Sequence, residues 1–204
     1  MGLISNGTTI FDAGSVASGL GGSMTFIKKL TADGTATNLS FVHGSASVVL
    51  DNTYKEYLFT FNNIHPATDQ ADFQVNFRDG GTDYDATKTS TNVQVYHAEA
   101  GDGAALDYDE PRDLAESTAV VNIIRMIGNG NDESGCGFLH LYEPSNTTFI
   151  KHFVLDTHAY NEGDYSVRRL ITGYCNTTTA IDGVQFSMSS GNMDAGDICL
   201  YGIS

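Results

Sequence analysis

Six histidines are the side chains in this sequence best suited to metal binding or acid–base chemistry. Two of them, His140 and His152, flank the turn at residues 143–146, so their imidazoles would lie near each other if the flanking segments pair as strands. A zinc site needs further ligands, and no neighbouring residue supplies one at a usual spacing. The pattern favours histidines on the polar faces of strands. The full set is His43, His65, His97, His140, His152 and His158.

Two oxygen-rich turns are the candidates for calcium binding. One holds Asp79, Asp83 and Asp85, and the other holds Asn129, Asn131, Asp132 and Glu133. Neither carries the complete EF-hand loop with its closing glutamate. Asp, Asn and Gly also fit the backbone angles that ordinary turns require. The turn explanation is favoured, and we predict neither a metal nor a cofactor.

Motifs for nucleophilic catalysis and for nucleotide binding are absent from the sequence. It contains no Gly-x-Ser-x-Gly, and the glycines at 19–22 lack both the dinucleotide-binding pattern and the lysine of a phosphate-binding loop. We therefore predict that the protein is not an enzyme.

Tyrosines on polar strand faces form a candidate binding surface. Such residues line sugar-binding grooves in β-sandwich lectins, and tyrosine is also enriched at subunit interfaces. The sequence leaves both uses open. The residues concerned are Tyr96, Tyr142, Tyr160, Tyr165 and Tyr174.

Charge and composition restrict the possible partners. The 204 residues include 25 Asp and Glu against 10 Lys and Arg, which gives a formal net charge of −15. Contact with nucleic acid is disfavoured, because phosphate backbones attract basic surfaces. No signal-peptide pattern or membrane-length apolar run is present, so we expect synthesis in the cytoplasm and no membrane partner. Three cysteines without CxxC spacing, Cys136, Cys175 and Cys199, favour buried reduced thiols.

From residue 23 onward, apolar residues alternate with a period of two. In one segment Tyr57, Phe59 and Phe61 share a parity, which is typical of a strand with one face on a core. Turn clusters rich in Gly, Asn, Asp and Ser separate such segments. This favours an all-β fold, a jelly-roll-like antiparallel β-sandwich over residues 23–204. The predicted strands are 24–30, 38–42, 46–50, 55–64, 72–79, 91–98, 118–127, 137–143, 147–158, 166–174, 181–188 and 196–203.

Two segments depart from this alternation. Residues 1–22 are rich in glycine and hold a single charged residue, which favours an extended N-terminal arm. We expect this arm to dock on its own domain or on a neighbouring subunit. Residues 98–117 are strongly acidic, and we predict an exposed loop there with a short helix from Pro111 to Ser117. The arm residues expected to make the contact are Leu3, Ile4, Ile10 and Phe11.

The segment 196–203 predicts a last strand with two apolar faces. Ile198 and Leu200 share one parity, and Tyr201 has the other. A strand that is apolar on both faces is typically internal to a sheet and covered on both sides. We therefore predict that these three residues belong to a core strand.

The run MSSGNMDAGDICLYGIS at 188–204 resembles the C-terminal signature of a family of tailed-phage virion structural proteins common in marine phages. The resemblance continues through GLISNGTTIFDAGS (2–15), SMTFIKKLTADGTA (23–36), YKEYLFTFNNIHPAT (54–68) and TTFIKHF (147–153), and so covers most of the chain. It includes no catalytic motif. It implies a virion component.

Within a virion we expect a capsid decoration (cement) protein that acts through subunit contacts. Its expected partners are further copies of itself, with a trimer favoured, and the major capsid protein lattice or other virion proteins. It would be assembled in the host cytoplasm and lie on the outer surface of the virion. Only 17% of residues are charged, which suits surfaces packed against other copies. The alternative is a carbohydrate-binding adhesin or a tail or baseplate component on the virion surface.

Overall fold

The computed structural model describes residues 3–5, 8–12, 15–16 and 23–204. The described chain forms β-strands and one 3-10 turn, Glu110–Arg112. The strands are β1 (Leu3–Ser5), β2 (Thr8–Asp12), β3 (Ser15–Val16), β4 (Met24–Thr31), β5 (Asn38–Val42), β6 (Glu56–Pro66), β7 (Ala71–Arg78), β8 (Lys88–Ala98), β9 (Ala104–Tyr108), β10 (Leu114–Ser117), β11 (Val121–Ile127), β12 (Ser134–Tyr142), β13 (Lys151–Asn161), β14 (Tyr165–Cys175), β15 (Gly183–Met188) and β16 (Met193–Ile203).

Two antiparallel sheets pack against each other, which confirms the prediction of an all-β antiparallel sandwich. The large sheet has nine strands in the order β10–β8–β14–β13–β12–β6–β16–β4, with β9 pairing along the other half of β8. The small sheet has the order β11–β7–β15–β5. The chain crosses repeatedly from one sheet to the other, as from β5 to β6 to β7, so its hydrophobic faces meet in one core.

Aromatic residues at alternate positions fill the centre of the core. Phe59 and Phe61 of β6 face Phe73 of β7 and Phe186 of β15, and all four are at most 1% exposed. The Phe186 ring centroid lies 5.2 Å from that of Phe61, 5.6 Å from that of Phe59 and 5.7 Å from that of Phe73. Aromatic rings at these separations stabilise the fold by more than their burial alone would. Phe186 is therefore the central packing residue between the sheets.

Strand β16 lies inside the large sheet, between β6 and β4. Ile198 pairs with Phe61 on one side and with Leu30 on the other, and Leu200 pairs with Phe59 on the β6 side. The side chains of Ile198 and Leu200 are fully buried in the core. Tyr201 points to the opposite face, where it is half-buried and its ring lies edge-on to Phe26 at 5.7 Å.

The N-terminal strands β1, β2 and β3 form a separate small antiparallel sheet of their own. Leu3 pairs with Phe11 in the backbone register, and Phe11 in turn pairs with Val16. The expected docking side chains of Leu3, Ile10 and Phe11 lie outside the described part of the chain. The side chain of Ile4 is 61% exposed.

Two sequence predictions of local structure are wrong. Residues 46–50 do not form a strand, because Ala46 and Ser47 lie in a turn with positive φ angles of 48° and 68°, and residues 48–50 have no regular secondary structure. In the acidic segment, the helix predicted from Pro111 to Ser117 is a 3-10 turn followed by strand β10. The edge of β8 there offers backbone partners, so Ala104–Tyr108 and Leu114–Ser117 pair with it as strands.

Strand β8 carries its polar residues on the inner face of the sandwich. Ser90 and Asn92 are buried there, and so is Lys88, whose ammonium donates to Asn76 Oδ1 at 2.6 Å and to the Ala86 carbonyl oxygen at 2.6 Å. Burial lowers the pKa of Lys88 to about 8. The cause is desolvation, because no carboxylate forms an ion pair with this ammonium among the described residues.

The buried lysine predicts that its own contribution to the free energy of unfolding, seen as the difference between the wild type and Lys88→Met, rises between about pH 8 and about pH 10.5. Below about pH 8 Lys88 is protonated in both the folded and the unfolded chain. Between about pH 8 and about pH 10.5 only the unfolded chain keeps this proton, so a higher pH favours the folded state. The full gain is on the order of 3 kcal/mol. We expect Lys88→Met to lack this rise in urea unfolding experiments.

The matched control for this experiment is Lys55→Met, because the Lys55 side chain is 78% exposed. This variant should show the same dependence of the unfolding free energy on pH as the wild type. Burial raises the pKa of the Cys175 thiol to about 12, which lowers stability at the alkaline end of this range in every variant. The difference between variants therefore reports the lysine together with its electrostatic coupling to Cys175. Equal slopes for the wild type and Lys88→Met would contradict this prediction.

Candidate functional site

An apolar patch lies on the outer face of the large sheet, at the end formed by β9, β8 and β14. We call it the outer patch. Cross-strand pairing brings its residues together, since Val95 lies opposite Leu106 and Val93 lies opposite both Tyr108 and Leu170. Leu106 is 70% exposed, and every member except Val93 is exposed to solvent. The outer patch comprises Val93, Val95, Leu106, Tyr108 and Leu170.

The outer patch arises from an inverted alternation along β8. In most strands of this sandwich the apolar residues face the core. In β8 the polar residues Ser90, Asn92 and Gln94 face inward, and Val93 and Val95 face outward. Contiguous apolar surface of this kind marks interaction sites on proteins. In the sequence the two valines share a parity opposite to that of the amides, but this alternation alone does not show which face turns outward.

A groove of about 590 Å³ runs along the outer patch. Val95 and Leu106 form its apolar side, and His97, His158 and Arg168 form its polar side. The Arg168 guanidinium makes two hydrogen bonds to the Asp156 carboxylate, at 2.9 and 2.6 Å. Because Asp156 offsets the charge of Arg168, the groove combines apolar side chains with hydrogen-bonding groups, and no unpaired arginine lies among its described lining residues. This combination suits a protein surface better than a strongly charged ligand.

A second exposed apolar site lies at the opposite edge of the large sheet, on β4. Met24 and Phe26 are both more than half exposed, and among the described residues β4 pairs with another strand on one side only. An open strand edge can pair with another chain. Lys28 and Lys29 lie on the same strand, and charged edge residues of this kind discourage indiscriminate pairing. The two apolar sites lie at opposite ends of the same sheet.

The histidines do not form a common centre. His140 lies opposite Val154 in the β12–β13 register and hydrogen-bonds to Glu56, while His152 packs edge-on against Tyr174. His65 contacts Asp194 at 2.6 Å; burial opposes its protonation, but the hydrogen bonds outweigh this and raise its pKa.

Neither oxygen-rich turn gathers its side chains around an ion. The Glu133 carboxylate accepts a hydrogen bond from the Gly130 backbone N–H at 2.7 Å and so closes its own turn. Among the described residues, no group of three or more His, Cys, Asp and Glu side chains converges on one point. Cys175 and Cys199 are buried, but the prediction of a buried thiol is wrong for Cys136, which lies on the outer face opposite His158.

The five candidate tyrosines occupy different surfaces. Tyr142 and Tyr174 lie on the outer face of the large sheet, beside His140 and His152. The Tyr160 hydroxyl shares its one proton between the carboxylates of Asp164 and Glu99, at 2.8 and 3.0 Å, and these contacts raise its pKa. The remaining two, Tyr96 and Tyr165, pack edge-on at 5.6 Å near the inner face. A single groove lined by all five does not exist.

Within the part of the chain that the structure describes, no helix is long and apolar enough to cross a membrane. A comparison with protein-family models, with curated proteins and with solved structures found no significant match. The assignment of function therefore depends on the residues and geometry described above, together with the sequence resemblance.

Proposed function

We propose that this protein is a structural protein of a tailed-phage virion and decorates the capsid. In this proposal it acts by contacts with other copies of itself, as a trimer, and with the lattice of the major capsid protein. No catalytic step is involved. The observation that carries the proposal is the outer patch, because a sandwich with apolar side chains on an outward sheet face gains stability when a partner covers them.

The charge of the molecule supports this role. A formal net charge of −15 keeps the protein from binding packaged nucleic acid and favours a position on the outside of the shell. A decoration protein stabilises a shell by mass action, since it binds the assembled lattice and not its separate subunits. Such binding requires a complementary surface but no catalytic reaction.

Replacement of Leu106 by aspartate is expected to reduce occupancy on the particle by about tenfold or more. The side chain is 70% exposed in the single chain, so the variant should fold normally. In the proposed contact it would bury an unpaired carboxylate. Occupancy can be measured by mixing stripped particles with purified protein and counting bound copies by quantitative mass spectrometry.

Phe149→Asp is the control for this experiment, because Phe149 is 66% exposed but lies in the loop between β12 and β13, outside the outer patch. It should bind as the wild type does. Wild-type occupancy by Leu106→Asp would show that the outer patch is not the contact. The copy number tests the position: hundreds of copies in each virion fit decoration, and a few to tens fit a tail or baseplate component.

A further inference from the structure

A cleft of about 240 Å³ lies on the inner face of the large sheet, on the opposite side of β8 and β14 from the outer patch. It exists because the small sheet is narrower. Its edge strand β11 packs mainly on β13, so the inner face of β14 and β8 extends beyond it. We call this space the arginine cleft. Its principal lining residues are Gln94, Tyr96, Arg125, Asn161, Tyr165 and Arg169.

Arg169 forms the floor of the arginine cleft. Its side chain is 3% exposed. One terminal nitrogen donates to Asn92 Oδ1 at 3.1 Å and the other to Gln94 Oε1 at 2.7 Å. The carboxylate of Asp109 lies 2.9 Å from the guanidinium. The Nε–H of Arg169 is buried and has no acceptor among the described residues.

Arg125 enters the arginine cleft from the small sheet. It is placed there by a β-bulge, in which Arg125 and Met126 together oppose the single residue Asp72 of β7. Met126 has a positive φ of 51°, and Asp72 fixes this conformation by accepting a hydrogen bond from its backbone N–H at 2.9 Å. Bulges and strained residues of this kind redirect side chains beside functional sites.

The arginine cleft holds two guanidinium groups and one carboxylate, and three of its buried N–H donors have no acceptor among the described residues. The buried Asp109 Oδ2 atom makes an ion pair with Arg169 at 2.9 Å but no hydrogen bond of good geometry in the described part of the chain. Arg125 and Arg169 share one carboxylate, that of Asp109, and the Arg125 guanidinium lies 3.6 Å from it. The buried Nε atom of Arg125 and the Nδ2 atom of Asn92 also have no acceptor within the described residues. Buried donors without acceptors are rare in folded proteins and call for a specific explanation.

We propose that the arginine cleft binds a carboxylate-bearing sugar, such as a uronic acid residue of a surface polysaccharide. The carboxylate supplies the missing acceptor and charge at Arg125, since guanidinium groups bind carboxylates with two parallel hydrogen bonds. The edge-on pair Tyr96 and Tyr165 offers an aromatic wall to the sugar ring. Asn161 also lines the cleft; its Oδ1 atom accepts backbone hydrogen bonds from Gly163 and Tyr165, so its NH2 group would donate to a sugar hydroxyl.

This inference goes beyond decoration and does not depend on it. The outer patch and the arginine cleft lie on opposite faces of the same strands, so one face can be covered while the other stays open. Binding to the cleft can be measured on the purified protein without any particle. Failure of one proposal therefore leaves the other untouched.

The test is titration of the full chain with sodium glucuronate, followed by amide chemical shifts in NMR spectra. We expect saturable shifts at β8, β11 and β14, and about tenfold or more weaker binding by Arg125→Gln. Glucose, which has the same ring without the carboxylate, should bind about tenfold or more weakly than glucuronate. Arg125→Gln should fold, because the wild-type side chain is partly exposed.

Arg168→Gln is the matched control, since it removes the same charge from the adjacent position on the other face of β14. It should bind glucuronate as the wild type does. Three results would overturn the proposal: no saturable shifts with glucuronate, equal loss of binding in both arginine variants, or acetate and sulfate binding as tightly as glucuronate. The last result would mean that the cleft binds small anions without recognising a sugar.

Discussion

Removal of residues 196–204 is expected to leave a chain that does not fold to a soluble protein. Strand β16 pairs along β6 on one side and β4 on the other, so its loss detaches β4 and exposes β6 as a new edge. It also removes Ile198 and Leu200 from the core. Expression of the truncated chain should give aggregate, as measured by the fraction of protein in the supernatant after lysis.

The point variant Leu200→Ala tests the same strand with a smaller structural change. Because Leu200 is fully buried, the variant should lose about 2–5 kcal/mol of unfolding free energy through the cavity that it leaves. Deletion of Ser204 alone is the control, since this residue is exposed and follows the strand. If the chain without residues 196–204 folded and melted within a few degrees of the wild type, the C-terminal signature would be a surface feature and not a core strand.

Phe186→Ala is expected to destabilise the core strongly, with a loss of about 3–5 kcal/mol of unfolding free energy. The ring contacts aromatic residues from both sheets, so its removal leaves a cavity that neither sheet can close alone. Phe149→Ala removes the same atoms from a side chain that is 66% exposed, and it should change stability by about 0.5 kcal/mol or less. Urea unfolding of both variants measures the difference. Similar losses in the two variants would show that the core can repack around the missing ring.

The sandwich could be predicted from the sequence because its signal is local. The parity of Phe59 and Phe61 in one strand, and of Phe73 and Val75 in the next, is set by residues two apart and is preserved in the sheets. Alternation defines two faces of a strand, but it does not say which face turns inward. For this reason the outward direction of Val95 could not be predicted from β8 alone.

The wrong helix prediction at Pro111 and the failure to predict the arginine cleft have different physical causes. Pro111 fits the first turn of a helix, but the open edge of β8 provides backbone partners for the residues on either side of it. The arginine cleft could not be predicted because Arg125 and Arg169 are far apart in the chain and meet only when β11 packs beside β14. The β-bulge that directs Arg125 toward the cleft is not evident in the hydrophobic pattern of β11.

The internal position of β16 also determines when this protein can reach its native state. The strand follows all the others in the chain, yet its place in the large sheet lies between β4 and β6, which are among the first parts of the sandwich to be synthesised. During translation, the edges of β4 and β6 that pair with β16 remain unpaired until β16 leaves the ribosome. Pairings between residues so distant in sequence close slowly, because the loop entropy is lost before the contacts form. The large sheet is therefore completed only once β16 is available to pair with β4 and β6, which lie far before it in the chain.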